Sequence, residues 1–174
     1  MENKILKELK FNQSGGELSF KGVRYMLIRP ETLIEFQKKV EELLGDKGKD
    51  LLYQSGFKGG SLSALKYRDV FHFSDEEIID FMLEMGGEIG WGHFSLVEMD
   101  LRKKRMVIDV INSPFALAYG KSDGPVCHFT RGALGGKGEV VFRQPVTALE
   151  VQCQGKGDRN CRFIIQVGCA QVEC

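Results

Sequence analysis

Three cysteines and a glutamate in the C-terminal part of the chain are the residues best suited to chemistry. Cys127 is followed after 22 residues by Glu150, which is followed after two by Cys153 and then after seven by Cys161. Zinc takes about four ligands, drawn from thiolate, imidazole and carboxylate, in a tetrahedron. Cys153 and Cys161 flank the turn QGKGDRN, so the neck of one hairpin plus one distant element could gather such a set. In an ideal strand Glu150 and Cys153 face opposite sides, and one ion reaches both only if a bulge intervenes or the turn has begun. Three thiolates and a carboxylate around a dication leave a net charge of about minus two, which Lys156, Arg159 and Arg162 are placed to offset. The competing reading makes the cysteines small buried hydrophobes and Glu150 a solvent-facing acid. C-x7-C is not a zinc-ribbon spacing, and spacing alone leaves both readings standing.

Other reactive groups are weaker candidates. His128 adjoins Cys127, but neighbours on a helix point about 100° apart, so it reads as a bystander rather than a substitute ligand or a catalytic base. Cys169 and Cys174 lie in a short tail outside this set and read as bystanders too. YGKSD, residues 119–123, lacks the earlier glycine of a phosphate loop. Neither GGEIGWGH nor GALGGKGE satisfies the dinucleotide fingerprint, and both read as sites of close packing.

The elements that must position these residues follow from periodicity. Residues 16–30 hold two alternating runs around Lys21 and Gly22, a hairpin pattern. Leu33, Ile34, Phe36, Val40, Leu43 and Leu44 recur with helical period and Gly45 closes that helix. A second helical pattern over 46–65 is interrupted by Gly56, Gly59 and Gly60, predicting a break. Ser74 and Glu77 form a capping box ahead of an apolar stripe through Ile78, Phe81, Met82 and Met85. Two strands follow, 94–101 and 106–111, the second apolar enough to be central. A short helical or turn segment PFALAYG, a glycine-rich helix after Cys127, and strands 146–153 and 161–167 complete the chain.

At 174 residues the chain suits one domain with a real core. Twenty-four basic residues balance 24 acidic ones without a long block of either sign, which argues against nucleic-acid binding. No window resembles a membrane span or a secretory leader, so a soluble cytoplasmic protein is expected, and five cysteines in a reducing compartment suit metal binding better than a disulfide frame.

NSPFALAYG, CHFTRGALGG and LEVQCQGKGDRNCRF together resemble the 4-vinyl-reductase domain, the small-molecule sensory domain also found at the N-terminus of aromatic-responsive transcription activators. The resemblance runs from about residue 76 to 167. Sensory members hold zinc with the pattern C-x22-E-x2-C-x7-C, which Cys127, Glu150, Cys153 and Cys161 reproduce without a gap. The family is also similar in fold to a subunit of vesicle-tethering complexes. The resemblance thus implies an α+β fold, an antiparallel sheet packed by helices, with a structural zinc clamp at a C-terminal hairpin. The expected layout is a frayed start over 1–15, one ligand-binding domain over 16–168 and a tail over 169–174.

The function expected from all this is a zinc-stabilised domain that senses or carries a small apolar or aromatic ligand, working as a homodimer. Phe81, Met85, Trp91, Phe94 and Phe129 are expected to line its pocket. The family's phenol sensors bind the hydroxyl with a histidine and a tryptophan. Here Trp91 and His93 stand only two residues apart, a departure that favours a more apolar or differently shaped ligand. The alternatives are a vinyl-reductase-type enzyme of tetrapyrrole metabolism, for which no electron-donor motif stands in the sequence, and a module that tethers protein partners.

Overall fold

The computed structural model describes residues 3–168; the expectations for Cys169 and Cys174 lie outside the described residues. The chain begins with a helix α1 (Lys4–Glu8) and a three-stranded antiparallel sheet, β1 (Lys10–Asn12), β2 (Glu17–Phe20) and β3 (Val23–Tyr25). The turn between β2 and β3 is Lys21–Gly22, both with positive φ (47° and 76°), the two-residue connection that the twist of paired strands favours. α1 is tied to the end of a later helix. The Glu88 carboxylate accepts from the Lys4 and Ile5 backbone N–H groups at 2.9 Å each, and Ile5 is buried.

Three helices follow: α2 (Pro30–Leu44), α3 (Asp46–Phe71) and α4 (Asp75–Glu88). Proline opens α2, where its missing N–H costs nothing, and Gly45 closes it. The capping box read at Ser74 and Glu77 is present, each side chain bonding the other's backbone N–H. The break expected near Gly56 is not there: α3 runs unbroken for 26 residues. Its glycines serve packing against α6 (His128–Phe142). A Cβ on Gly56 or Gly60 would overlap the carbonyl oxygen of Phe129 or Ala133, and one on Gly132 or Gly136 would overlap that of Tyr53 or Phe57. Contact of backbone with backbone on both helices outweighs the roughly 1 kcal/mol by which each glycine disfavours a helix.

A four-stranded antiparallel sheet carries the core. β4 (His93–Asp100), β5 (Arg105–Ile111), β6 (Val146–Gln152) and β7 (Cys161–Val167) lie in the order β4-β5-β7-β6, so β5 is an inner strand, as its apolar run predicts. Met106, Ile108 and Val110 of β5 and Phe163 and Ile165 of β7 alternate toward the helices and are almost fully buried. They meet Ile78, Met82 and Met85 of α4 and Leu134, Val141 and Phe142 of α6 in one cluster. The short helix α5 (Pro114–Tyr119), capped by the Ser113 side chain, joins β5 to the loop before α6. The architecture is α+β with antiparallel sheets packed by helices. Among the described residues no helix is long and apolar enough to cross a membrane.

Candidate metal centre

The last hairpin solves the facing problem of Glu150 and Cys153 with a bulge. Glu150 pairs with Phe163 and Gln152 pairs with Arg162, so Val151 is the extra residue. The bulge restores the inward side to Cys153, which ends the strand and opens a tight turn. The Cys153 N–H donates to Asp158 Oδ2 at 2.8 Å, and its carbonyl accepts from the Lys156 and Asp158 N–H groups at 2.9 and 3.2 Å. A 3-10 turn (Gln154–Lys156) then brings the Gln154 N–H to 3.3 Å from Cys161 Sγ. The distant element is the N-terminus of α6, where Cys127 occupies the cap position. Its loop is pinned to the hairpin by the Ser122 N–H on the Gly155 carbonyl at 2.8 Å, and the Cys127 N–H donates to Glu150 Oε2 at 2.9 Å.

Cys127, Glu150, Cys153 and Cys161 therefore converge, with one ligand atom from each and all four within 4.8 Å of one another. Such a set could hold a metal ion. Cys153 and Cys161 are fully enclosed, Cys127 is 2% exposed and Glu150 9%. The Cys127 and Cys161 sulfurs stand 3.7 Å apart, too far for a disulfide. Two thiolates each about 2.3 Å from a tetrahedral zinc would be separated by about 3.8 Å. Glu150 Oε1 is buried without a hydrogen-bond partner, although Oε2 has one, which leaves an oriented lone pair for a fourth ligand. The solvent-facing alternative for Glu150 does not hold.

Proton chemistry agrees with the geometry. Burial, reinforced by the Cys153 sulfur, pushes the Glu150 carboxyl up to about 8. Hydrogen bonds to Cys153 and Cys161, together with burial, hold the Cys127 thiol well above its usual range. The same thiol neighbours pull Cys153 down. Four acids in so small a volume cannot all ionise against one another, and the cluster keeps most of its protons. A divalent cation would replace them and release the repulsion.

The outer contacts differ in part from the sequence expectation. Arg162 does not offset the cluster; β7 points it outward, where it forks onto Asp109 at 2.6 and 2.7 Å. Asp158 and Gln154 orient the turn instead, Gln154 also accepting from the Ser113 N–H at 2.8 Å. His128 is not a ligand: it turns to α2, its Nε2 3.6 Å from Glu41 Oε1. That glutamate also accepts from the Tyr119 hydroxyl at 2.6 Å and from Gln37 Nε2 at 2.8 Å, and Gln37 Nε2 reaches the Val126 carbonyl at 2.8 Å. A polar junction thus ties α2 to the loop that carries Cys127, and nothing in the local pattern of α2 announced it.

Of the five pocket candidates, Met85 and Phe94 belong to the buried core cluster and Phe81 and Trp91 pack against it. Phe81 packs edge-on against Tyr67 at 4.9 Å between ring centres, with Phe71 and Phe73 at 6.0 and 5.3 Å. Trp91 stands edge-on to Phe115 at 5.1 Å and near Phe129 at 6.0 Å. Met85 is buried with its sulfur facing the Tyr67 and Tyr25 hydroxyls, and the Phe94 ring fills the space beside Gly86. His93 is exposed at the rim of an open depression of about 480 Å3, bounded by Gly87, Gly90, Gly92, Asn112, Pro114 and Leu117.

Residues 106–167, which include the whole tetrad, match the family model of the 4-vinyl-reductase domain. An uncharacterized protein of Methanocaldococcus jannaschii, MJ0745, is 27% identical over 131 residues, 75% of this chain and 61% of that protein, less than two thirds of its length. Among solved structures, the phenol-responsive sensory domain of the transcription activator PoxR with phenol superposes with a TM-score of 0.77 at 18% identity, covering 93% of this chain and 86% of that one. Subunit 3 of a trafficking protein particle complex from Naegleria fowleri, covalently bound to palmitic acid, gives a TM-score of 0.58 at 13% identity, covering 79% and 93%. At these identities the two structures share a fold with this chain.

Proposed function

We propose, taking the match to the 4-vinyl-reductase domain as the premise, that the chain is a small-molecule-binding sensory domain whose C-terminal hairpin is clamped by zinc. The observation that carries the reading is the extent of the fold shared with a phenol-responsive sensory domain, 93% of this chain. The ligand is apolar or aromatic and lies among helices α3, α4 and α6 and the sheet, near Phe81, Met85, Trp91, Phe94 and Phe129. The zinc is structural. With four protein ligands it keeps no position for water or substrate, so it orders the hairpin rather than carrying out a reaction. Cys127, Cys153 and Cys161 supply thiolates, Glu150 supplies Oε1, and the Gln154 N–H steadies Cys161.

The chain works as a homodimer in this reading. Phe36 and Leu43 on α2 are 62% and 70% exposed, and Met26 and Leu27 just before it are 77% and 90% exposed, apolar surface that a second copy would cover. The other side of α2 holds the Glu41 junction to the Cys127 loop, so a shift of α6 around a ligand would reach the subunit contact.

Native mass spectrometry of freshly purified protein, followed by a thermal-shift screen with aromatic and lipid-like compounds, tests the proposal. A chain with one zinc, and a compound that raises the melting point by the equivalent of roughly 2.7 kcal/mol at about 100 times its dissociation constant, are expected. A screen with no shift and no retained ligand would favour a protein-tethering module.

A further inference from the structure

Lys137 stands in the middle of α6 among Gly135, Gly136 and Gly138. Helices α3 and α6 run side by side in the same direction, Gly56 meeting Phe129 and Gly60 meeting Ala133. Continued by one turn, that register sets Lys137 level with Ala64, which is completely buried. The lysine lies at depth, and loss of water pulls its ammonium down to about 8. No hydrogen bond or ion pair joins it to any described residue. It nevertheless keeps part of its surface accessible.

A second polar side chain on α6 is also left without a partner. Thr130, two turns earlier on the same face of α6, is 3% exposed and its Oγ1 has no partner. Helical side chains lean toward the N-terminus, so the lysine leans toward Thr130. On the facing side, Tyr67 stands one turn after Ala64. Its hydroxyl and that of Tyr25 face the Met85 sulfur, at 3.3 and 3.9 Å, a weak acceptor, and the Tyr67 hydroxyl also bonds the Ser63 side chain. An ammonium held away from water without a counter-charge is costly, and buried hydroxyls rarely go unpaired. Of the nearby cations, Arg68 holds Asp75 and the Val140 carbonyl, and Arg131 lies over the Tyr53 ring with its Nε unpartnered. One lysine balances one negative charge, not the nearly two of a phosphate monoester.

We propose that Lys137 anchors the carboxylate of an otherwise apolar ligand seated among α3, α4 and α6, with the Thr130 hydroxyl donating a second hydrogen bond. The inference rests on the small-molecule reading above and narrows it to organic acids. Calorimetric titration of the full chain with naphthalene-2-carboxylate and 2-naphthol, and with decanoate and 1-decanol, tests it on the wild type and on Lys137→Met, Lys137→Gln and Thr130→Val. The wild type should bind an acid at least about tenfold more tightly than the matched alcohol. Either lysine variant should lose that preference while keeping the alcohol's affinity, and Thr130→Val should weaken the acid by a few-fold. Equal binding of acid and alcohol by the wild type, or an acid preference that survives in a folded lysine variant, overturns the lysine anchor and leaves the small-molecule reading in place. No binding of any of the four compounds overturns both.

Discussion

Glu150 illustrates how single residues set the chemistry of this protein. One oxygen is committed to the Cys127 N–H and the other is buried with nothing to bond, an arrangement that costs free energy until a cation arrives. Replacing Cys153 with serine should therefore strip the proposed zinc and lower the melting temperature. Because a hydrophobic core also exists, the loss should be several kcal/mol, below the roughly 10 kcal/mol or more of whole zinc-finger peptides. Metal analysis paired with thermal melting checks this, and a metal-free wild type of unchanged stability would overturn it. Lys137 makes a second residue-scale prediction. Its folded value is about 8 against 10.5 for the free side chain, so below about 8 both states carry the proton and the full penalty of burial is present. Between those values the folded form sheds its proton first, unfolding takes one up, and stability rises with pH. Tyr67, held up near 12, and Tyr25, raised by burial, face the same interior and stay neutral through most of that window. Ligand-free Lys137→Met should melt higher than wild type at pH 7, and the gap should narrow toward pH 10.

At the scale of elements, the pairing of α3 with α6 is the most extensive helix contact in the fold. Its close approach depends on the absence of four Cβ atoms. Gly136→Ala places a methyl group into the Phe57 carbonyl and should destabilise by about 1–3 kcal/mol or more, since both backbones must part. Gly59→Ala on α3, the other helix of the pair, is the control: an exposed helical position with nothing within 4 Å of the new Cβ. It should stabilise by roughly 0.5–1 kcal/mol through helix propensity alone. Urea unfolding of the two variants separates them by sign, and two losses of similar size would show that propensity, not packing, governs these glycines.

For the whole molecule, the open question is what covers its outer apolar surface. The helical period of Leu33, Ile34, Phe36, Val40, Leu43 and Leu44 is real, yet among the residues of α2 only Ile34 and Gln37 are buried. A helix with an apolar stripe turned to water is waiting for another surface. Light scattering at tens of micromolar, roughly, should report a dimer. Phe36→Glu together with Leu43→Glu should yield folded monomers, while a wild-type monomer at that concentration would remove the homodimer.

What could be read without coordinates was what depends on near neighbours in the chain. The capping box at Ser74, the hairpin turn at Lys21 and Gly22, the alternation of β5 and β7 and the turn between Cys153 and Cys161 are local, because hydrogen bonds and side-chain periods act over a few residues. The tetrad was legible too, since its spacing matched a known pattern, and spacing called for a bulge or an early turn, of which Val151 supplies the bulge. Tertiary structure decided the rest. The glycines of α3 read as a break because their partner carbonyls on α6 lie more than 70 residues away. Arg162 read as a partner of the cluster until strand register sent it to Asp109, and the sequence carried no signal for the burial of Lys137. Propensity acts within one helical turn or strand pair, whereas burial, and with it the cost of an unpaired charge, depends on which distant surfaces meet.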